Sequence, residues 1–180
     1  MRRSLRIMAT LDDIEALLGE PRFHWSDPAP WDRLERELGV SFPADFREIA
    51  DAYGPVLIND QVRLDHPGHA TRNLGETIKE EIEFWLEEDE DQENIPRKAG
   101  ALPGELLPVA TCSQGETVFL RVPESPSEPW AVGVHEWDSF SFVLHEKPFS
   151  DWLLAYLRNE DTTMYSSESD PGRPFYEPMK

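Results

Sequence analysis

Three features of the sequence predict an α+β fold. Apolar residues recur every three to four positions in three segments before Gly54, and beyond it the period shortens to two. From Leu106 onward, four short β-patterned runs precede a final helical segment. Helices and strands segregated in this way, with short strand connections, favour a largely antiparallel or mixed sheet with helices packed beside it. The expected domain runs over residues 10–158. Residues 159–180 form a polar tail, mobile or draped, with prolines and no apolar period.

The first helix is signalled by Thr10 with Asp13 three residues on, a capping-box spacing, then by Leu11, Ile14, Leu17 and Leu18 on one face. Gly19 and Pro21 end it. The second opens at Asp27-Pro28-Ala29-Pro30, carries Trp31, Leu34 and Leu38, and stops at Gly39, placed for a left-handed cap. The third begins at Pro43, places Phe46, Ile49, Ala50 and Tyr53 on one side, and ends at Gly54-Pro55. Val56–Ile58 and Val62–Leu64 then flank Asn59-Asp60-Gln61 as a hairpin. A longer helix is expected from Thr71 to Asp89, with Leu74, Ile78, Ile82, Trp85 and Leu86 inward. Its acidic end is placed to fray, because carboxylates repel one another and oppose the negative end of the helix dipole. Residues 94–104 read as a loop. Strands follow at 106–110, 117–122, 130–135 and 140–144, and the last helix turns Phe149, Trp152, Leu153, Tyr156 and Leu157 to one side.

At 180 residues the chain can bury a core without a metal or disulfide. Its 36 acidic and 17 basic residues leave a net charge of −19, which argues against binding nucleic acid or an anionic membrane. One cysteine excludes an internal disulfide framework and a multi-thiolate zinc site within the chain. No apolar run approaches the ~20 residues of a membrane span, and the N-terminus lacks a signal-peptide core. A soluble, cytoplasmic protein is expected.

The sequence carries few signs of catalytic chemistry. Phosphate-binding glycine loops and the nucleophile elbow are absent from the sequence. Cys112 and His135 could seed a thiol site if their strands were neighbours, but no third residue to orient the imidazole is evident, and a lone cysteine usually packs as a small hydrophobe. Asp65, His66 and His69 could begin a metal site. The plainer reading is a turn with solvent-facing histidines, since no helix fixes their spacing. No catalytic residue, metal or cofactor is expected.

Charge remains. Between Glu76 and Glu93 stand ten acids against the single base Lys79, nearly half of the net excess in a tenth of the chain. Such a run is ordinarily a solvated helix face and a self-repelling loop. Its functional reading is a steering surface for a basic protein partner, formed by Glu83, Glu87, Glu88, Asp89, Glu90, Asp91 and Glu93. Trp85 would be an interface anchor if partly exposed.

Three stretches carry a family resemblance: Trp31-Asp32-Arg33-Leu34-Glu35-Arg36-Glu37-Leu38-Gly39, Phe42-Pro43-Ala44-Asp45-Phe46-Arg47, and Tyr53-Gly54. Together they resemble the signature opening of the SUKH superfamily, in its Smi/Knr branch. Weaker matches follow in order at Leu64 with Pro67, Leu107-Pro108, Gly115-Glu116-Thr117, Val132 to His135, and Phe149 with Trp152-Leu153. Phe42 departs conservatively from the usual leucine or isoleucine, and the acidic stretch from Glu87 to Gly104 lies outside the pattern. The resemblance implies an α+β fold without enzymatic activity. Bacterial members resemble immunity proteins that bind and block the toxin domain of a polymorphic toxin, whereas eukaryotic relatives act as signalling scaffolds or adaptors. The signature residues Trp31, Leu34, Glu35, Leu38, Gly39, Pro43, Phe46, Tyr53 and Gly54 are expected to maintain the fold: Leu34, Leu38 and Phe46 by packing, Gly39 and Gly54 by capping helices, and Pro43 by starting one.

Overall fold

The computed structural model describes residues 8–88, 94–137, 141–160 and 174–180, except for the side chain of Glu88. Five helices and seven strands among the described residues make an α+β domain. The helices are α1 (Leu11–Leu18), α2 (Ala29–Leu38), α3 (Ala44–Tyr53), α4 (Leu74–Glu88) and α5 (Phe149–Leu157). The strands are β1 (Val56–Ile58), β2 (Val62–Leu64), β3 (Leu106–Cys112), β4 (Thr117–Arg121), β5 (Ala131–Glu136), β6 (Ser141–Leu144) and β7 (Tyr176–Pro178).

The helix boundaries follow from local chemistry. Thr10 and Asp13 form the reciprocal capping box of α1. Asp27 accepts the Ala29 N–H at the start of α2, and Gly39 closes that helix at φ 73°, a left-handed position suited to glycine. Gly54 caps α3 from an extended conformation, its N–H donating to the Ala50 carbonyl.

One open sheet has the order β6-β5-β4-β3-β2-β1-β7, and all neighbours are antiparallel. The first six strands therefore meander in chain order, with α4 inserted between β2 and β3. The seventh comes from the polar tail. Tyr176 lies opposite Ile58, and Glu177 opposite Leu57. Three residues ending in proline carry no alternation, so the sequence pattern did not signal this edge strand.

Strand pleat divides the buried residues into two clusters. Val118, Leu120, Val132 and Val134 join Phe149, Trp152 and Tyr156 of α5, together with residues of α1, α2 and α3, in the larger core. Phe119 points the other way and meets Trp85, Ile95, Ala99 and Leu106 in a smaller one. Residues 94–104 are thus more than a connecting loop, because Ile95 and Ala99 form part of that second core. Leu86 corrects the periodic reading of α4: it is 45% exposed, since the apolar stripe ends on Trp85.

Gly133 serves the smaller core by having no side chain. A Cβ there would stand 2.3 Å from Cζ of Phe142, whose ring lies across β5.

Candidate interaction surface

The signature residue Trp31 joins Asp51 and His66 in a clasp that meets the start of α4. Trp31 is fully buried, and its Nε1–H donates to Oδ1 of Asp51 at 2.8 Å. The same oxygen lies 2.8 Å from Nε2 of His66. Nδ1 of His66 accepts the Gly68 N–H at 3.0 Å, which puts the imidazole proton on Nε2, facing the carboxylate. Trp25 stacks on the ring at 4.1 Å. Burial holds His66 below its ordinary pKa, against the opposing pull of Asp51.

Glu35 holds the turn between α2 and α3, accepting the Phe42 N–H at 2.7 Å and the Arg47 guanidinium at 3.1 Å. Tyr53 donates its hydroxyl to the Gly19 carbonyl at 2.6 Å. Leu34 and Phe46 are buried as expected, whereas Leu38 is only partly covered.

His66 corrects the expectation of two solvent-facing histidines: it is fully buried, because Trp25 stacks on its ring, Trp31 meets it edge-on and Asp51 faces its Nε2. His69 is half-buried and uses Nδ1 to accept the Arg72 N–H at 3.0 Å. Asp65 accepts the Thr77 hydroxyl at 2.5 Å. The three side chains are occupied separately and do not converge on a common point. No group of three or more His, Cys, Asp or Glu side chains suited to a metal occurs among the described residues.

Cys112 and His135 also stay apart. Thr111, Thr117 and His135 lie in one cross-strand row and share a face, so Cys112, next to Thr111, faces the other way. Cys112 packs against the larger core, while the His135 imidazole meets Trp85 edge-on at 4.7 Å. Burial pushes the Cys112 thiol well above its ordinary pKa, away from nucleophilic thiolate.

From the clasp, α4 is launched by Asn73. Its Oδ1 accepts the Glu76 N–H at 3.2 Å, and its Nδ2 donates to the Pro67 carbonyl at 2.9 Å. The exposed acids Glu76, Glu80, Glu83 and Glu87 recur at helical spacing along the outer side of α4, opposite Leu74, Ile78 and Trp85. Lys79 joins Glu37 at 3.1 Å and Glu76 at 3.6 Å, which neutralises the first turn. No cation pairs with Glu80, Glu83 or Glu87 among the described residues. Of the remaining acids read as a steering surface, the Glu88 side chain and Asp89, Glu90, Asp91 and Glu93 lie outside the described residues. Trp85 is 1% exposed and belongs to the core, so it is no interface anchor.

Beside this stripe runs a groove of about 510 Å³, bounded by Glu81, Phe84, Thr111, Gly115, Glu116 and Trp137. Phe84 and Trp137 are 39% and 40% exposed, with ring centroids 6.2 Å apart. Gly115 turns β3 into β4 at φ 96°, and a Cβ there would lie 3.2 Å from Trp137 Cβ. Both the turn and the seat of the indole therefore call for glycine. Burial raises the Glu81 carboxyl above its ordinary pKa, despite the opposing charge of Arg63. Sequence reasoning missed this groove because its walls come from α4, the β3–β4 turn and the end of β5. The one signal was a pair of aromatics next to acids.

No helix among the described residues is long and apolar enough to cross a membrane. The model of the SMI1 / KNR4 family (SUKH-1) matches residues 27–155, a span that begins just before α2 and ends within α5. No curated protein and no solved structure matches the chain significantly.

Proposed function

Because this chain belongs to the SMI1 / KNR4 family (SUKH-1), we propose that it is a non-enzymatic, cytoplasmic immunity protein that neutralises a cognate toxin domain by direct occlusion. The partner is a protein with a basic surface, such as the substrate face of a nuclease toxin. Neither nucleic acid nor membrane is a partner, and no metal or cofactor takes part.

The observation that carries this reading is the run of Glu80, Glu83 and Glu87 along an exposed helix face, beside a groove walled by exposed aromatics. Focused negative charge accelerates encounter with a basic protein by roughly 10- to 1,000-fold. An aromatic-walled depression supplies the desolvated contact that slows release. The acidic positions Glu88, Asp89, Glu90, Asp91 and Glu93 extend the same charge along the chain.

The test is co-expression with the product of a neighbouring gene that carries a toxin-like C-terminal domain, followed by pull-down and survival assays. Rescue of growth with stoichiometric capture is expected. A triple variant, Glu80→Lys, Glu83→Lys and Glu87→Lys, should fold normally, associate about tenfold more slowly at low salt, and lose most of its salt dependence. Association at the wild-type rate would remove the acidic face from the mechanism. Capture of a harmless protein without any toxin would favour an adaptor instead.

A further inference from the structure

The groove between α4, the β3–β4 turn and Trp137 has a composition that selects its occupant. Its aromatic walls, Phe84 and Trp137, suit an aliphatic or planar group, and its boundary includes the acid Glu81 without a lysine or arginine. Arg63, which sits beside Thr111 one strand away, already acts on Glu81. Even so, burial keeps the Glu81 carboxyl raised, so the charge there remains incompletely compensated. An entering cation would supply what Arg63 does not.

We infer that this groove is the anchor pocket for an arginine side chain of the protein partner, its stem lying along Phe84 and Trp137 and its guanidinium meeting Glu81. Arginine fits better than lysine for two physical reasons. Its planar, weakly hydrated head stacks on an aromatic face, and its forked donors match a carboxylate. A neutral or acidic side chain would leave Glu81 desolvated without compensation beyond that of Arg63. Gly115 belongs to the device, since its bare Cα allows the Trp137 indole to stand where it walls the groove. The inference rests on the protein-binding reading above and names the chemistry at the centre of that interface.

The probes are three blocked pentapeptides of sequence Gly-Leu-X-Leu-Gly, with X as arginine, lysine or glutamine. Binding is followed by the indole N–H resonance of Trp137 in proton–nitrogen NMR spectra. The arginine peptide should shift that resonance saturably and bind about tenfold more tightly than the glutamine peptide, or ~1.4 kcal/mol. Glu81→Gln should reduce arginine-peptide affinity at least fivefold while sparing glutamine-peptide affinity. Trp137→Ala, followed at assigned backbone amides of Gly115 and Thr117, should weaken the arginine peptide, and Trp137→Phe should restore much of the loss.

Equal affinity for arginine and glutamine, or no saturable response to arginine, overturns the inference; equal affinity for lysine overturns the choice of arginine. Melting temperatures no lower than that of the wild type separate lost recognition from lost folding in the variants. Neutralisation preserved in Trp137→Ala and Glu81→Gln would sink this pocket and leave the proposed function standing. An intact peptide response without any neutralisation would do the reverse.

Discussion

Asp51→Ala tests the clasp beside the start of α4, the helix that carries the candidate interaction surface. One oxygen of Asp51 serves both the buried Trp31 indole N–H and the buried His66 imidazole, each at 2.8 Å. Removing the carboxylate orphans two buried donors, and each orphan costs about 1–3 kcal/mol. The Asp51 side chain is 31% exposed, so water entering its place recovers part of that loss. A destabilisation of about 2–4 kcal/mol near pH 8 is expected. It would be measured by urea unfolding followed through tryptophan fluorescence, with the slope against urea unchanged. The pH dependence sharpens the test. His66 has a folded-state pKa below its unfolded value, so wild-type stability is fully present above the unfolded pKa of about 6.5 and falls as pH drops through the folded value. Without Asp51, nothing offsets the burial of the imidazolium, its pKa falls further, and the gap between variant and wild type widens below the wild-type folded pKa. A loss under about 0.5 kcal/mol near pH 8 would refute the reasoning, since the two donors would then be satisfied without the carboxylate. A gap that narrows on acidification would refute the protonation argument separately.

Two further perturbations probe the groove side of the sheet. Glu81→Gln should raise the melting temperature near neutral pH: a raised folded-state pKa gives stability that is present below the unfolded pKa and lost as pH rises through the folded value. The advantage should vanish near pH 4 in a calorimetric series, and a variant less stable than wild type near pH 7 would contradict it. Gly133→Ala should destabilise by about 1–3 kcal/mol, because its methyl group meets the Phe142 ring within 2.3 Å. Thermal unfolding measures this, and a wild-type melting temperature would show that the ring moves aside freely.

Much of the fold was legible because local signals agreed with one another. Thr10 with Asp13, Gly39 and Pro43 mark helix ends where the apolar period also stops, and the pleated runs from Leu106 retain their order in the sheet. What escaped depends on residues far apart in sequence. The burial of His66 requires Trp25 and Asp51, and neither lies close enough to predict it from spacing. The seventh strand exists because β1 offers a free edge: Asn59 N–H and Met179 N–H reach carbonyls across that edge at 2.8 and 3.0 Å. On α4, the charge of the outer face was readable from composition, whereas Leu86 was misplaced because a helical period of 3.6 cannot say where a stripe ends. The Phe84–Trp137 groove is purely tertiary. Its parts look unremarkable singly, and only the return of β4 and β5 past α4 gathers them.

The pleat that sends Val118 and Leu120 one way and Phe119 the other has a consequence for divergence. The outward-facing residues of α4 and the rim at Trp137 rest on a few side chains, while the bulk of the folding energy resides across the sheet with α5 and its neighbours. Exposed positions such as Phe84 and Glu83 can be exchanged with little disturbance to that distant foundation. Under the proposed role, the contact face could therefore be retuned residue by residue on a chassis that stays the same.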